Sequence, residues 1–384
     1  AVDRTKGDNP IEQELDNMKN AGTLYGNIIY HKAPIVMNQL EINLGKEKLQ
    51  DGLQQYLNQN KYDNATWDDL VYILDSKTEY DLKSWSHSWV HEPGMPHYKV
   101  LKAYNTDNKL QNVIVEQIDP FKKGRQWSQE IEVLINNVNY QIELKDTFNV
   151  INLNRHDFNT ENILLNSGGL GYGYFEFDSI TANKILNQVS GITDPLLRCS
   201  VYISLWENML NENIEPNELI SSLINALDSE KDPQNTNLLL GYLPTIFWKF
   251  TNETKRILIA KKLEQFTWDK IYDERIPGVK KAYFNAFKSI VLTNDGMNRL
   301  FGLWQKNIVI PNLELSEQDL TELSYELAIR DYAKSDSILD VQLERIKNLE
   351  KKEQFTFIRK AVSSNKKTRE NFFESLKMEE NKEK

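Results

Sequence analysis

The hydrophobic period changes twice along this chain, and that constrains its fold more than any other feature. Up to about Pro93 apolar residues recur at helical spacing. Ile131-Glu132-Val133-Leu134-Ile135 then alternates, and after Asn136-Asn137 so does Tyr140-Gln141-Ile142-Glu143-Leu144. Helical spacing returns further on, in pieces punctuated by Glu215-Pro216, Asp232-Pro233, Pro277-Gly278 and Asp295-Gly296. At 384 residues the chain also exceeds one ordinary core. The pattern predicts a mainly α protein with a small β-sandwich in three domains: helices over 1–93, the sandwich over 94–160, and helices over 161–384.

Local signals sharpen this. A helix is expected after Tyr30 through Val36, Met37 and Leu40, with Pro34 in its first turn and Gly45 at its end. Leu49, Leu53, Tyr56 and Leu57 predict one buried stripe on a second helix. Thr66 with Asp69, Asp81, Asp194 with Pro195, and Ser316 with Asp319 read as helix starts. The helix after Asp194 is apolar nearly all round (Leu197, Val201, Leu205, Trp206, Met209), so cover on several sides is expected. Asn136-Asn137 predicts a tight hairpin. The run of short helices towards the end predicts stacked antiparallel pairs, an α-solenoid.

Composition narrows the function classes. With 46 Lys and Arg against 56 Asp and Glu, the net charge of −10 opposes non-specific binding to nucleic acid or an anionic membrane. No apolar run approaches the roughly 18–20 residues of a membrane helix. One cysteine, Cys199, allows no intrachain disulfide and no cysteine-based zinc site, and is expected to be buried. His87 and His91 have the i, i+4 spacing of a zinc grip. Pro93 ends that helix at once and no third ligand is evident, so surface histidines are expected and no metal site. Gly168-Gly-Leu-Gly-Tyr-Gly173 resembles a phosphate-cradling loop, but the extended Tyr174-Phe-Glu-Phe177 follows where a helix is needed, favouring a tight-turn linker. Residue chemistry alone assembles no complete active site.

One segment carries more information. Ala21-Gly-Thr-Leu-Tyr25-Gly-Asn-Ile-Ile-Tyr30-His-Lys32-Ala-Pro-Ile-Val-Met37 resembles the gluzincin zinc aminopeptidases of the alanyl and leucyl aminopeptidase type, peptidase family M-one. Gly52-Leu-Gln-Gln-Tyr-Leu57, Tyr62–Leu70, Trp85, Trp89 and Gly94-Met-Pro96 continue the likeness, as do Asn166, Gly171-Tyr-Gly173, Asp194-Pro-Leu196 and Leu205-Trp-Glu207. The resemblance implies the helical end of a thermolysin-like catalytic domain, then a β-sandwich, then a HEAT/ARM-like solenoid. It implies that Tyr30 is the catalytic tyrosine, whose phenol supports the carbonyl oxygen while zinc-bound water attacks, and that Tyr25 is a second tyrosine near the substrate. Ala33 replaces the family's usual glycine.

The family's H-E-x-x-H motif is absent from these residues. The expectation is a piece of a larger zinc aminopeptidase that removes N-terminal residues from peptides. This piece would supply Tyr30 and the helical domain that encloses substrate, with its partners the missing N-terminal and catalytic-core segments of the same protein. The chain alone is expected to hold no zinc and to be inactive. The alternative is a non-catalytic, aminopeptidase-derived scaffold that binds a partner through its solenoid. The compartment, cytoplasm or bacterial periplasm, stays open.

Overall fold

The computed structural model describes residues 3, 8–15, 17, 19, 22, 26–106, 109–153, 162–378 and 381. The chain divides into two compact units, Ala1–Leu219 and Ile220–Lys384.

From Ile28 to His91 the described residues of the first unit are mainly helical. α1 (Ala33–Leu44) follows a π-helical turn, Ile28–Lys32, and carries Pro34 in its first turn. α2 (Lys46–Gln59), α3 (Trp67–Asp75) and α4 (Leu82–Ser86) follow, the last running into a second π-helical turn, His87–His91. Both expected caps are present: Thr66 and Asp69 form a reciprocal capping box, and the Asp81 side chain accepts from the Ser84 amide. Val36, Leu40 and Leu44 of α1 pack with Leu70, Val71 and Leu74 of α3 and with Trp85, Trp89 and Trp127.

The expected stripe on α2 is met by Leu49 and Tyr56, which pack partly buried against this core, and is corrected at Leu53 and Leu57. Gly52 is the buried residue of that helix, while Leu53 lies at the surface and Leu57 is 65% exposed. The reason is steric. A Cβ on Gly52 would come within 2.2 Å of the Leu74 side chain, so α2 meets α3 through its glycine, and the two leucines fall further round.

Seven strands follow: β1 (His97–Tyr104), β2 (Leu110–Ile118), β3 (Gln129–Ile135), β4 (Val138–Leu144), β5 (Phe148–Asn152), β6 (Ile163–Leu165) and β7 (Tyr174–Phe175). They form a four-stranded sheet in the order β5-β2-β1-β7 and a three-stranded sheet in the order β4-β3-β6. Alternation sets the register: Ile131, Val133 and Ile135 are buried while their neighbours on β3 are half-buried. The β3–β4 hairpin turns through Asn136 and Asn137, both at positive φ, as a two-residue turn requires. Tyr98, Val113 and Val115 of one sheet share a core with Val133, Leu144 and Leu165 of the other. Strands β6 and β7 lie beyond the expected boundary at residue 160, because β6 pairs with β3 and β7 with β1.

α5 (Ser179–Gln188) and α6 (Pro195–Leu210) complete the unit, α6 starting on Asp194 as expected. Buried Asn208 of α6 donates to the Phe175 carbonyl and accepts from the Phe177 amide, both at 2.9 Å, which fastens the helix to β7. α6 is less covered than its composition predicts, with Leu196 and Ile203 exposed and Cys199 half-buried. Val201, Tyr202, Leu205 and Met209 are buried as expected, but Ser200, Ser204 and Asn208 share the buried side, and some apolar residues are left at the surface.

The second unit is helical. After α7 (Pro216–Ser229), within which the two units divide, come α8 (Pro233–Thr245), α9 (Glu253–Asp273), α10 (Pro277–Ile290), α11 (Asn294–Trp304), α12 (Glu317–Ile329), α13 (Ser335–Arg345), α14 (Leu349–Ile358) and α15 (Lys366–Ser375). α10 packs on α8 and α9, and α12 on α11 and α13. Ser316 and Asp319 form the expected capping box on α12. Buried polar side chains fix the helix junctions. Glu264 of α9 accepts from the amides of Leu292 and Thr293 at 2.7 and 2.8 Å, and Gln342 accepts from the Trp304 indole at 2.9 Å.

Candidate functional site

Tyr30 sits inside the π-helical turn that leads into α1. Turns of this kind recur at functional sites. Its amide donates to the Gly26 carbonyl at 3.1 Å, and the Ala33 amide closes the turn on the Ile28 carbonyl. Ile28 and Lys32 on either side are buried at 6% and 1%, whereas Tyr30 is 61% exposed. The turn thus holds its flanks inside the protein and presents the phenol outward. Tyr25, the other expected site residue, lies outside the described residues.

The fixture beneath Tyr30 is polar. The Lys32 ammonium donates to the Gly94 carbonyl at 2.8 Å, pairs with Asp3 Oδ2 at 3.0 Å and lies 5.5 Å from the centre of the Tyr172 ring. The Tyr172 hydroxyl donates to the same Asp3 oxygen at 2.6 Å. Burial pushes the Lys32 pKa down, against the pull of Asp3. Burial also raises that of nearby Asp8, with repulsion from Asp3 adding to it. Gly94 is needed where it stands: its φ is +108°, and a Cβ would meet the Phe121 ring at 2.8 Å.

α1 is docked by a second polar anchor. The Gln39 amide donates to the carbonyls of Glu130 and Leu170 at 2.8 and 2.9 Å and accepts from the Glu130 amide at 2.8 Å, serving β3 as a piece of neighbouring strand would. Gln129 treats Tyr172 in the same way, donating to its carbonyl and accepting from its amide. Asn166 bridges both backbone groups of Gly171. The glycine-rich segment is therefore a turn tied to side chains of its own unit, and it serves as the platform under α1.

The expected histidines are near neighbours, their rings 6.3 Å apart, but they serve different partners. His91 contacts Glu12 at 2.5 Å through Nδ1 and Asp68 at 3.4 Å through Nε2, while His87 lies 4.0 Å from Glu92. The two carboxylates at His91 sit on opposite ring nitrogens, so they cannot share one ion with it. Among the described residues no three His, Cys, Asp or Glu side chains converge on a metal-sized point, and these residues do not fit a zinc site.

Sequence reasoning missed the roles of Lys32 and Gln39. One signal was present: Ile28, Lys32, Val36 and Leu40 recur every four residues, and all four are buried. A lysine on an apolar stripe announces a buried partner.

Comparison with known proteins bears on this segment directly. Residues 1–89, which include the Tyr30 turn, match the peptidase family M1 domain. Aminopeptidase N of Lactobacillus helveticus is 27% identical over 345 residues, covering 88% of this chain and 36% of that protein. Residues 1–89 are thus similar to the M1 peptidases, and most of the chain is similar to an aminopeptidase N. The puromycin-sensitive aminopeptidase of Caenorhabditis elegans is 25% identical over 208 residues, 51% of this chain and 21% of the relative. In fold, the chain is similar to the crystal structure of Legionella pneumophila aminopeptidase A in complex with aspartic acid. The TM-score is 0.64 at 13% identity, over 93% of this chain and 46% of that one. The chain therefore spans about a third of the first relative and less than half of the solved structure.

Proposed function

We propose that this chain acts as part of a zinc aminopeptidase that removes N-terminal residues from peptides, and that Tyr30 is its catalytic side chain. The observation that carries the reading is the Tyr30 turn: an exposed phenol held between two buried residues, inside the segment that matches the M1 domain. A phenol fixed in this way can donate a hydrogen bond to the oxyanion that forms when a peptide carbonyl is attacked. The donor is most effective when it is already oriented, because no reorganisation is then needed as charge develops. Tyr25 is assigned to substrate contact beside it. The helices from α7 onward are assigned to a HEAT-like solenoid that restricts substrates to peptides. Among the described residues no three His, Cys, Asp or Glu side chains converge, so the ligands of the zinc are assigned to other segments of the enzyme.

The test is Tyr30→Phe in the zinc-loaded aminopeptidase that carries this chain, assayed on an aminoacyl anilide. A fall in kcat of about 100-fold or more, with KM little changed, is expected for loss of one oxyanion donor. Retention of more than about a third of kcat would remove Tyr30 from the chemistry, since a donor of this kind cannot be so cheap to lose. If the native species proves to be a zinc-free protein of 44.9 kDa, the second reading applies, a scaffold that binds a partner through its helices.

A further inference from the structure

Two residues after Tyr30, the chain buries a lysine as completely as the core leucines Leu40 and Leu82: Lys32 is 1% exposed. Burying an ammonium is unfavourable unless partners compensate, so a lysine at such a place needs a reason. It occupies the apolar stripe of Ile28, Val36 and Leu40, where a methionine of similar length would pack at no electrostatic cost. What the lysine adds is direction. Its ammonium is tied at 2.8 Å to the carbonyl of Gly94, 62 residues away, and at 3.0 Å to Asp3, which Tyr172 holds in turn.

Helical geometry couples that tie to Tyr30. In a helical turn, positions two apart project from nearly opposite faces. Drawing Lys32 inward therefore turns Tyr30 outward, as their exposures of 1% and 61% record. The π-helical closure between Ile28 and Ala33 leaves the two residues within one turn, with little slack. The Gly94 end is also fixed. The Arg125 guanidinium donates to the adjoining Pro93 carbonyl at 2.6 Å while pairing with Asp119 at 2.8 Å and Glu92 at 3.1 Å.

We propose that Lys32 is the positioning residue for Tyr30, locking the orientation of its turn against the Pro93–Gly94 backbone, with Asp3 and Tyr172 orienting the ammonium. This rests on the reading of Tyr30 as the oxyanion donor. Lys32 touches no reacting atom; it acts through the turn.

A kinetic cycle in the zinc-loaded enzyme, with an aminoacyl anilide as substrate, separates this inference from the reading beneath it. Lys32→Met is expected to lower kcat by about 10- to 100-fold, as a misplaced catalytic group does, with KM within about twofold. Adding Lys32→Met to Tyr30→Phe is expected to lower kcat no further, because the residue being positioned is already disabled. Full additivity of the two losses overturns the inference while leaving Tyr30 catalytic. Wild-type kcat in Lys32→Met does the same. If Tyr30→Phe is itself silent, the reading of Tyr30 fails and the inference falls with it.

The paired variant Asp3→Asn/Lys32→Met guards against misfolding, since it strands no buried carboxylate. It is expected to keep the kcat loss, and recovery of kcat in it would assign the defect to the stranded Asp3 charge and overturn the inference. Hydrogen exchange of the same variant should show residues 28–32 opening faster with strands β1–β7 unchanged. Unchanged protection of that turn would count against it.

Discussion

The helices of residues 26–91 and the sandwich that follows them differ in what fixes their packing. In the sandwich Ile131, Val133 and Ile135 alternate into the interior from β3, and the shared core of the two sheets is built of valine, isoleucine and leucine with one tyrosine and one phenylalanine. The helices bury an apolar stripe too, but polar groups decide how they dock. Lys32 reaches Gly94, Gln39 completes an edge of β3, and the indoles of Trp85 and Trp89 both donate to the Ser128 carbonyl at 3.1 and 2.9 Å. Hydrophobic burial is non-directional, so it can hold a helix against a sheet without fixing its rotation. A directed hydrogen bond in a dry place fixes it, because the alternative is an unsatisfied buried group. The helices around Tyr30 are docked by bonds of this kind.

The comparison can be broken most severely at Gln39. Gln39→Leu keeps the volume but leaves the Glu130 amide and two carbonyls without their partner. A loss of about 3 kcal/mol is expected from urea unfolding, at about 1 kcal/mol or more for each stranded group. A loss below about 1 kcal/mol would mean that α1 is held by its apolar stripe alone, and the contrast drawn above would disappear.

A smaller effect is expected at the joint between the regions. Burial alone would raise the Asp119 pKa, but Arg125 and the amides of Phe121 and Arg125 outweigh it and hold the carboxyl down to about 2. Because the folded value lies below the ordinary one of 3.8, the stabilisation is complete above about pH 4 and is lost as pH falls towards 2. Asp119→Asn should cost about 2 kcal/mol at pH 7, and the gap from wild type should close between about pH 4 and pH 2. A gap that persists unchanged at pH 2 would show that packing, not the charge, is what the variant disturbs.

The smallest effect is expected on α2. Leu57→Ala removes a side chain that is 65% exposed, and should change the unfolding free energy by less than about 0.5 kcal/mol. A loss above about 2 kcal/mol would place Leu57 in a buried contact and restore the stripe that the leucine spacing suggested.

How much was legible follows the same division. The alternation of β3 and β4, the Asn136-Asn137 hairpin and the caps at Thr66, Asp81, Asp194 and Ser316 were readable because each depends on neighbours in sequence. Tyr30 was picked out through the residues around it, by likeness to a family, not by its own chemistry. The burial of Gly52 in place of Leu53 and Leu57 was not readable, since it depends on where Leu74 stands on another helix.

By itself, then, the sequence determined the periods, the turns and the motif that marks Tyr30, because backbone conformation and side-chain period are local. Only the tertiary structure decided which face of α2 is covered, that β6 and β7 join the sheets, and that the lysine beside Tyr30 is buried on Gly94, 62 residues further along the chain. Those are long-range meetings. Their free energy comes from groups that have no reason to be near one another until the chain has folded.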